Sequence, residues 1–166
     1  MHLGRKNCEA MRLTTYTDYA LRVMMYLALK HPQGDVATIS EIARSYGISR
    51  AHLMKVVNHL AQKGFIETVR GRTGGARLAR APAKISVGEI VRATEPDFAV
   101  VPCHDPGAKP QCVVLPACNL RRVMSRAVAA FIDALDSVSL EETITVPKVA
   151  AGLLRIDFVP MTQRRH

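Results

Sequence analysis

The sequence predicts a mainly α fold with a small β-hairpin wing: a winged helix-turn-helix domain followed by a long dimerisation helix. Three observations predict it. Short apolar-periodic segments, punctuated by Gly47 and Gly64, are followed by a β-forming, glycine-rich stretch. That is the order helix, turn, helix, hairpin. A narrow apolar stripe then runs through residues 119–137, as in a helix that packs against a partner helix. Between the two lies a proline-broken stretch with three cysteines.

Each element has a local reason. Residues 15–31 read as a helix, with Leu21, Met24, Met25 and Ala28 at helical spacing and Pro32 and Gly34 ending it. Residues 39–46 form a second helix on Ile39, Ile42, Ala43 and Tyr46, stopped at Gly47. Ser49 suits the N-cap of a third helix, which buries Leu53, Val56, Val57 and Leu60 and ends at Gly64. Phe65 to Val69 are β-formers. Gly71, Gly74 and Gly75 allow a turn, and Ala76 to Ala79 return as a partner strand. Ser86 and Glu89 make a capping box for a helix that stops by Pro96. From Asn119 to about Ser137, Leu120, Val123, Met124, Ala127, Val128, Phe131 and Leu135 share one stripe. Residues 143–166 mix β-formers with Pro147 and Pro160 and show no clear period.

The chain therefore divides into an N-terminal extension (1–10), expected to be disordered, and a winged helix-turn-helix DNA-binding domain (11–96). A cysteine loop (97–118), a dimerisation helix (119–142) and a C-terminal tail (143–166) follow. Lys plus Arg outnumber Asp plus Glu by 23 to 14, for a formal charge of +9. Such a balance points to a polyanion, nucleic acid above all. No apolar run approaches the ~20 residues of a membrane span, and the first ten residues lack the apolar segment of a signal peptide. These features predict a cytoplasmic protein that does not engage membrane, where cysteines stay reduced or bind metal.

On a helical wheel, the third helix turns Ala51, Lys55, Asn58 and Gln62 away from the core, flanked by Arg50, Met54 and His59. The N-terminal part of a recognition helix reaches base edges. Ser49, Arg50, Ala51, His52 and Lys55 are thus the candidate readers of double-stranded DNA. The wing adds Arg70, Arg72 and Arg77, and an arginine at a hairpin tip can enter a narrow minor groove. An ordinary solvated hairpin would carry the same charges, so the wing argument rests on the whole assembly.

The cysteines are Cys103, Cys112 and Cys118, spaced C-x8-C-x5-C, with Pro102, Pro106, Pro110 and Pro116 barring a regular helix. A loop of about twenty residues in a small domain needs something to order it. Three readings remain open on spacing: an iron–sulfur cluster, a structural zinc site completed by His104, or free thiols. Zinc sites favour a short C-x2–4-C knuckle, which is missing here. Cys8 stands alone in the leader. Neither a C-x-x-C redox motif, a glycine-rich nucleotide loop nor a catalytic carboxylate pair is present, which argues against an enzyme.

The stretch from Met11 to Arg22, Ile48 with Ser49, the run from Val69 to Leu78, and the cysteine loop leading to Asn119 and Leu120 resemble the Rrf-two superfamily of winged-helix regulators. The resemblance spans about residues 11–142 and is strongest to its NsrR-type, nitric-oxide-sensing repressors. It implies a homodimer that holds a 4Fe–4S cluster (2Fe–2S being the variant) on Cys103, Cys112 and Cys118. Asp18, donated by the other subunit, is the implied fourth ligand, and nitric oxide is the implied signal for release of operator DNA. Related iron-supply and cluster-biogenesis regulators share the fold and the loop. The first cysteine gap, eight residues, is longer than in several relatives, and the family normally starts where Met11 stands. Read without the family, Asp18 in a first helical turn simply complements the helix dipole. Arg22, one turn on, is placed to pair with it.

Overall fold

The computed structural model of the chain describes residues 12–69, 71, 74–104 and 112–157. Helix α1 (Thr15–Lys30) opens on Thr14, whose hydroxyl accepts from the Thr17 amide. Helix α2 (Ile39–Tyr46) opens on a full capping box between Thr38 and Glu41 and closes on Gly47. Gly47 sits at φ 65°, the left-handed region that suits glycine. It turns the chain into α3 (Arg50–Gln62), and Ile48 in the turn is buried. The helix-turn-helix expected from the sequence is thus present.

Strands β1 (Ile66–Val69) and β2 (Gly75–Leu78) form the expected antiparallel hairpin, pairing Ile66 with Leu78 and Glu67 with Arg77. Ala37 bridges Ala76 through two 2.8 Å backbone hydrogen bonds, adding a third strand-like contact ahead of α2. This close approach explains Gly75. A Cβ there would lie 2.5 Å from the Ala37 carbonyl oxygen.

Helix α4 (Val87–Thr94) has the capping box expected from Ser86 and Glu89. It ends one residue before Glu95, which is extended because the following Pro96 disfavours the helical region. Helix α5 (Leu120–Asp136) is the long helix. Its end is tied to the head: Leu140 donates to the Ile85 carbonyl at 2.7 Å and Val87 to that of Val138 at 2.9 Å.

The core joins Val23, Met24 and Leu27 of α1 to Leu53, Val56, Val57 and Leu60 of α3. Ile85, Ile90 and Leu140, all fully buried, close it. The segment beyond residue 143, where the sequence shows no period, contributes a further helix, α6 (Pro147–Leu153). Pro147 begins this helix, a position where a missing amide costs nothing. Ala151 and Ile156 are buried in the common core. Ser45 Oγ donates to the Leu154 carbonyl and Gln33 Nε2 to that of Asp157, each at 2.8 Å. The chain after α5 therefore returns to the α1–α2 side of the head.

Candidate nucleic-acid interface and cysteine loop

Helix α3 divides as the wheel requires. Leu53, Val56, Val57 and Leu60 are buried, while Arg50, Ala51, His52, Met54, Lys55, Asn58 and Gln62 are exposed. Ser49 occupies the N-cap and is exposed, and its side chain makes no capping hydrogen bond. Two rings of α1 touch this helix. Tyr19 packs against His52 at 6.2 Å between ring centroids, and Tyr16 against His59 at 5.7 Å. The Tyr16 hydroxyl lies 2.9 Å from His59 Nδ1 and donates to the Lys55 carbonyl at 3.3 Å. Burial raises the Tyr16 phenol pKa, which keeps it a donor. Neither tyrosine was singled out by periodicity, because an aromatic beside a helix face reads simply as core.

On the wing, Arg77 does not stand free. Its Nε and one terminal nitrogen donate to Glu67 Oε2 at 3.0 and 2.9 Å, straight across the strand register. Each side chain is about half exposed, 51% for Arg77 and 52% for Glu67, so the pair is worth little in stability, roughly 0–1 kcal/mol. Its effect is electrostatic, a carboxylate beside the arginine expected to meet DNA. The same register carries the sequence signal, since residues 67 and 77 flank the glycine turn symmetrically. Arg70 and Arg72 lie outside the described residues. Gly71 takes φ 115°, a conformation that favours glycine.

Cys103 sits in a single 3-10 turn, Pro102–His104, that packs on α5. Cys112 and Cys118 flank a second, Leu115–Ala117, and three i→i+3 bonds, interrupted only at Pro116, run between them. Single turns tolerate the prolines at their first positions, where a regular helix would not. All three thiols are free; Cys112 is exposed and the other two half-buried. Among the described residues, no three His, Cys, Asp or Glu side chains converge as metal ligands do. The side chain of His104 and residues 105–111 lie outside the described residues. As a donor set, three unpaired thiols in one loop suit iron or zinc.

Asp18, in the first turn of α1, accepts from Arg22 Nε at 2.8 Å, the i, i+4 pair its spacing predicts. Arg22 also lies over the Tyr46 ring, 5.7 Å from its centroid. Burial pushes the Tyr46 phenol up to about 12. Upstream, the Thr14 amide and hydroxyl both donate to Glu95 Oε1, at 2.7 and 3.1 Å. Glu95 thus ties the start of α1 to the segment that runs into Cys103.

Along α5 no residue is buried. Leu120, Val123 and Phe131 are 48%, 48% and 39% exposed. A groove of about 860 Å³ runs beside the stripe, between Met124, Val128 and Phe131 of α5 and Phe98 and Val100 of the preceding segment.

A sequence comparison decides the family. Residues 13–145 match Rrf2, described as an iron-dependent transcriptional regulator. The chain belongs to the Rrf2 family. Its Rrf2 relatives include the HTH-type transcriptional regulator NsrR of Bacillus subtilis strain 168, 46% identical over 146 residues, or 88% of this chain and 99% of the relative. The NsrR of Bacillus licheniformis is 46% identical over 134 residues, covering 81% and 92%. Among solved structures, CymR, the global cysteine regulator of B. subtilis, superposes with a TM-score of 0.61 at 25% identity, over 80% of this chain and 95% of CymR. The expected winged-helix architecture and the resemblance to NsrR-type Rrf2 regulators are both borne out. The protein is a transcriptional regulator of the helix-turn-helix kind. No helix among its described residues is long and apolar enough to cross a membrane.

Proposed function

We propose that this Rrf2 regulator is a homodimeric, cytoplasmic repressor whose hold on operator DNA depends on an iron–sulfur cluster and is released by nitric oxide. One observation carries the reading: two features of a single chain are incomplete alone and complementary to a second copy. No residue of the α5 stripe is buried, and Leu120, Val123 and Phe131 stand exposed along it. The three thiols, free and unconverged, precede that same helix. Pairing two α5 helices covers the stripe and brings the loop of one protomer toward the head of the other.

In this reading Cys103, Cys112 and Cys118 hold a 4Fe–4S cluster as thiolates, and Asp18 of the partner subunit supplies the fourth donor. When bound, the cluster supplies iron with affinity for nitric oxide. Asp18 must exchange its guanidinium partner for iron. Because its pair with Arg22 is about half exposed, that exchange costs little. Arg22, paired with Asp18 at 2.8 Å, is placed to hold the carboxylate once it leaves iron. A carboxylate is a harder and more labile donor to cluster iron than a thiolate, which makes Asp18 the weak point of the ligand set. DNA contact falls to Ser49, Arg50, Ala51, His52 and Lys55 of α3 and to the wing arginines Arg70, Arg72 and Arg77. The two α3 helices of the dimer must lie about one DNA turn apart, ~34 Å.

Anaerobic purification tests the proposal. A coloured protein carrying iron and sulfide, which loses its visible absorbance and its DNA together as nitric oxide is added, is the expected result. A colourless, zinc-bearing protein would instead make the loop a structural zinc site. A cluster that ignores nitric oxide but follows iron supply would make the protein an iron-supply or cluster-biogenesis regulator.

A further inference from the structure

The first turn of α1 grips the DNA-facing helix through one hydroxyl. Tyr16 Oη donates to the Lys55 carbonyl at 3.3 Å and lies 2.9 Å from His59 Nδ1. A phenol has a single hydrogen to give. With that hydrogen on the Lys55 carbonyl, the shorter contact requires His59 Nδ1 to be the donor. With that hydrogen on His59 Nδ1 instead, the imidazole carries its proton on Nε2, so the tautomer decides which of the two contacts the phenol donates to. Tyr16 in this way holds two successive turns of α3.

The two ends of this link lie next to the functional groups. Lys55, whose carbonyl is held, projects its side chain from the exposed face of α3. Asp18 stands two residues after Tyr16 in the same turn of α1, and Thr14, two residues before it, is anchored to Glu95. This single turn thus meets both the segment leading to Cys103 and the helix expected to read DNA.

We propose that Tyr16 is a positioning residue for DNA recognition. Its hydroxyl locks α3 to the turn that carries Asp18, so that holding or freeing that turn sets how α3 enters the groove. The inference rests on the proposed function and adds the route by which the loop addresses the reading helix. Tyr16 acts through Lys55 and His59.

The test is Tyr16→Phe, which keeps the ring and removes the hydroxyl. The probe is the tightest duplex that the wild type selects from a random-sequence pool. Its binding is followed by fluorescence anisotropy across salt, before and after nitric oxide treatment. Cluster-loaded Tyr16→Phe should lose up to about tenfold in affinity, the effect of one or two hydrogen bonds. Its salt slope should be unchanged, because no phosphate contact is removed. The ratio between untreated and treated affinities should shrink. His59→Gln, whose amide nitrogen can donate to the phenol oxygen, should keep most of the wild-type behaviour. A Tyr16→Phe protein with wild-type affinity and wild-type ratio overturns the clamp, as does a salt slope lowered by about one, the mark of a lost phosphate contact. A wild type that binds equally with and without its cluster overturns the sensing function itself, and the clamp with it.

Discussion

Two nitrogens of the Arg92 guanidinium donate to the two carboxylate oxygens of Asp136, each at 2.7 Å. The pair fastens the last turn of α5 to α4, with Ser86 Oγ adding a 3.2 Å bond to the same carboxylate. Gly88 lets the helices meet, since a Cβ there would collide with the Asp136 side chain.

This contact predicts an acid-sensitive attachment. The Arg92 hydrogen bonds hold the Asp136 carboxyl below its ordinary pKa. A carboxylate with a depressed folded-state pKa contributes stability that is present above its unfolded value and lost as pH falls through its folded value. Arg92→Ala should therefore lower the melting temperature slightly at neutral pH, and the gap to wild type should close below the ordinary carboxylate range. Thermal unfolding followed at several pH values measures it, and a gap constant with pH would assign the effect to packing.

Gly75→Ala should unseat the wing. The added Cβ meets backbone at Ala37, which cannot swing aside as a side chain would. Overpacking of this kind costs about 1–3 kcal/mol. Urea unfolding should show that loss, with DNA affinity falling alongside it. A neutral Gly75→Ala would mean that the Ala37 bridge is not maintained in solution.

Charge at the interface predicts opposite effects for two residues. Lys55→Ala should weaken binding to all duplexes and lower the salt slope by about one if the lysine meets phosphate. Glu67→Gln should release Arg77, strengthen non-specific binding and steepen the slope by about one. Titrating each variant with random-sequence DNA across salt checks both. A Glu67→Gln protein with an unchanged slope would leave Arg77 out of DNA contact.

Single replacement of Cys103, Cys112 or Cys118 by Ala should abolish stable iron binding while the proposed dimer persists, because that proposal rests its contact on the α5 stripe; Cys8→Ala should change nothing. Asp18→Ala should assemble some cluster yet bind DNA poorly, and Asp18→Cys should respond to nitric oxide more slowly. Iron content, size-exclusion elution and an anaerobic nitric oxide titration that follows cluster absorbance and operator gel shift together give the readouts. If Asp18→Ala matches the wild type in all three, Asp18 is a helix-start carboxylate paired to Arg22 and nothing more.

The sequence by itself determined the elements whose causes are local. Capping boxes at Thr38 and Ser86, glycine stops at Gly47 and Gly64, and the periodic face from Leu53 to Leu60 each act within a few residues. Helices α1 to α5 and the hairpin were therefore legible to within a residue or two. The exposed face of α3 and the Asp18–Arg22 pair followed from spacing in the same way. Only the tertiary structure decided what joins distant parts of the chain. Helix α6 escaped notice because Ala151, and Ile156 just after the helix, are buried by joining the common core rather than by any period of the segment's own. The Glu95 anchor spans 81 residues, the Tyr16 link to Lys55 39, and the Arg92–Asp136 clasp 44. Such contacts depend on which surfaces the packed core brings together, and no short-range pattern encodes that.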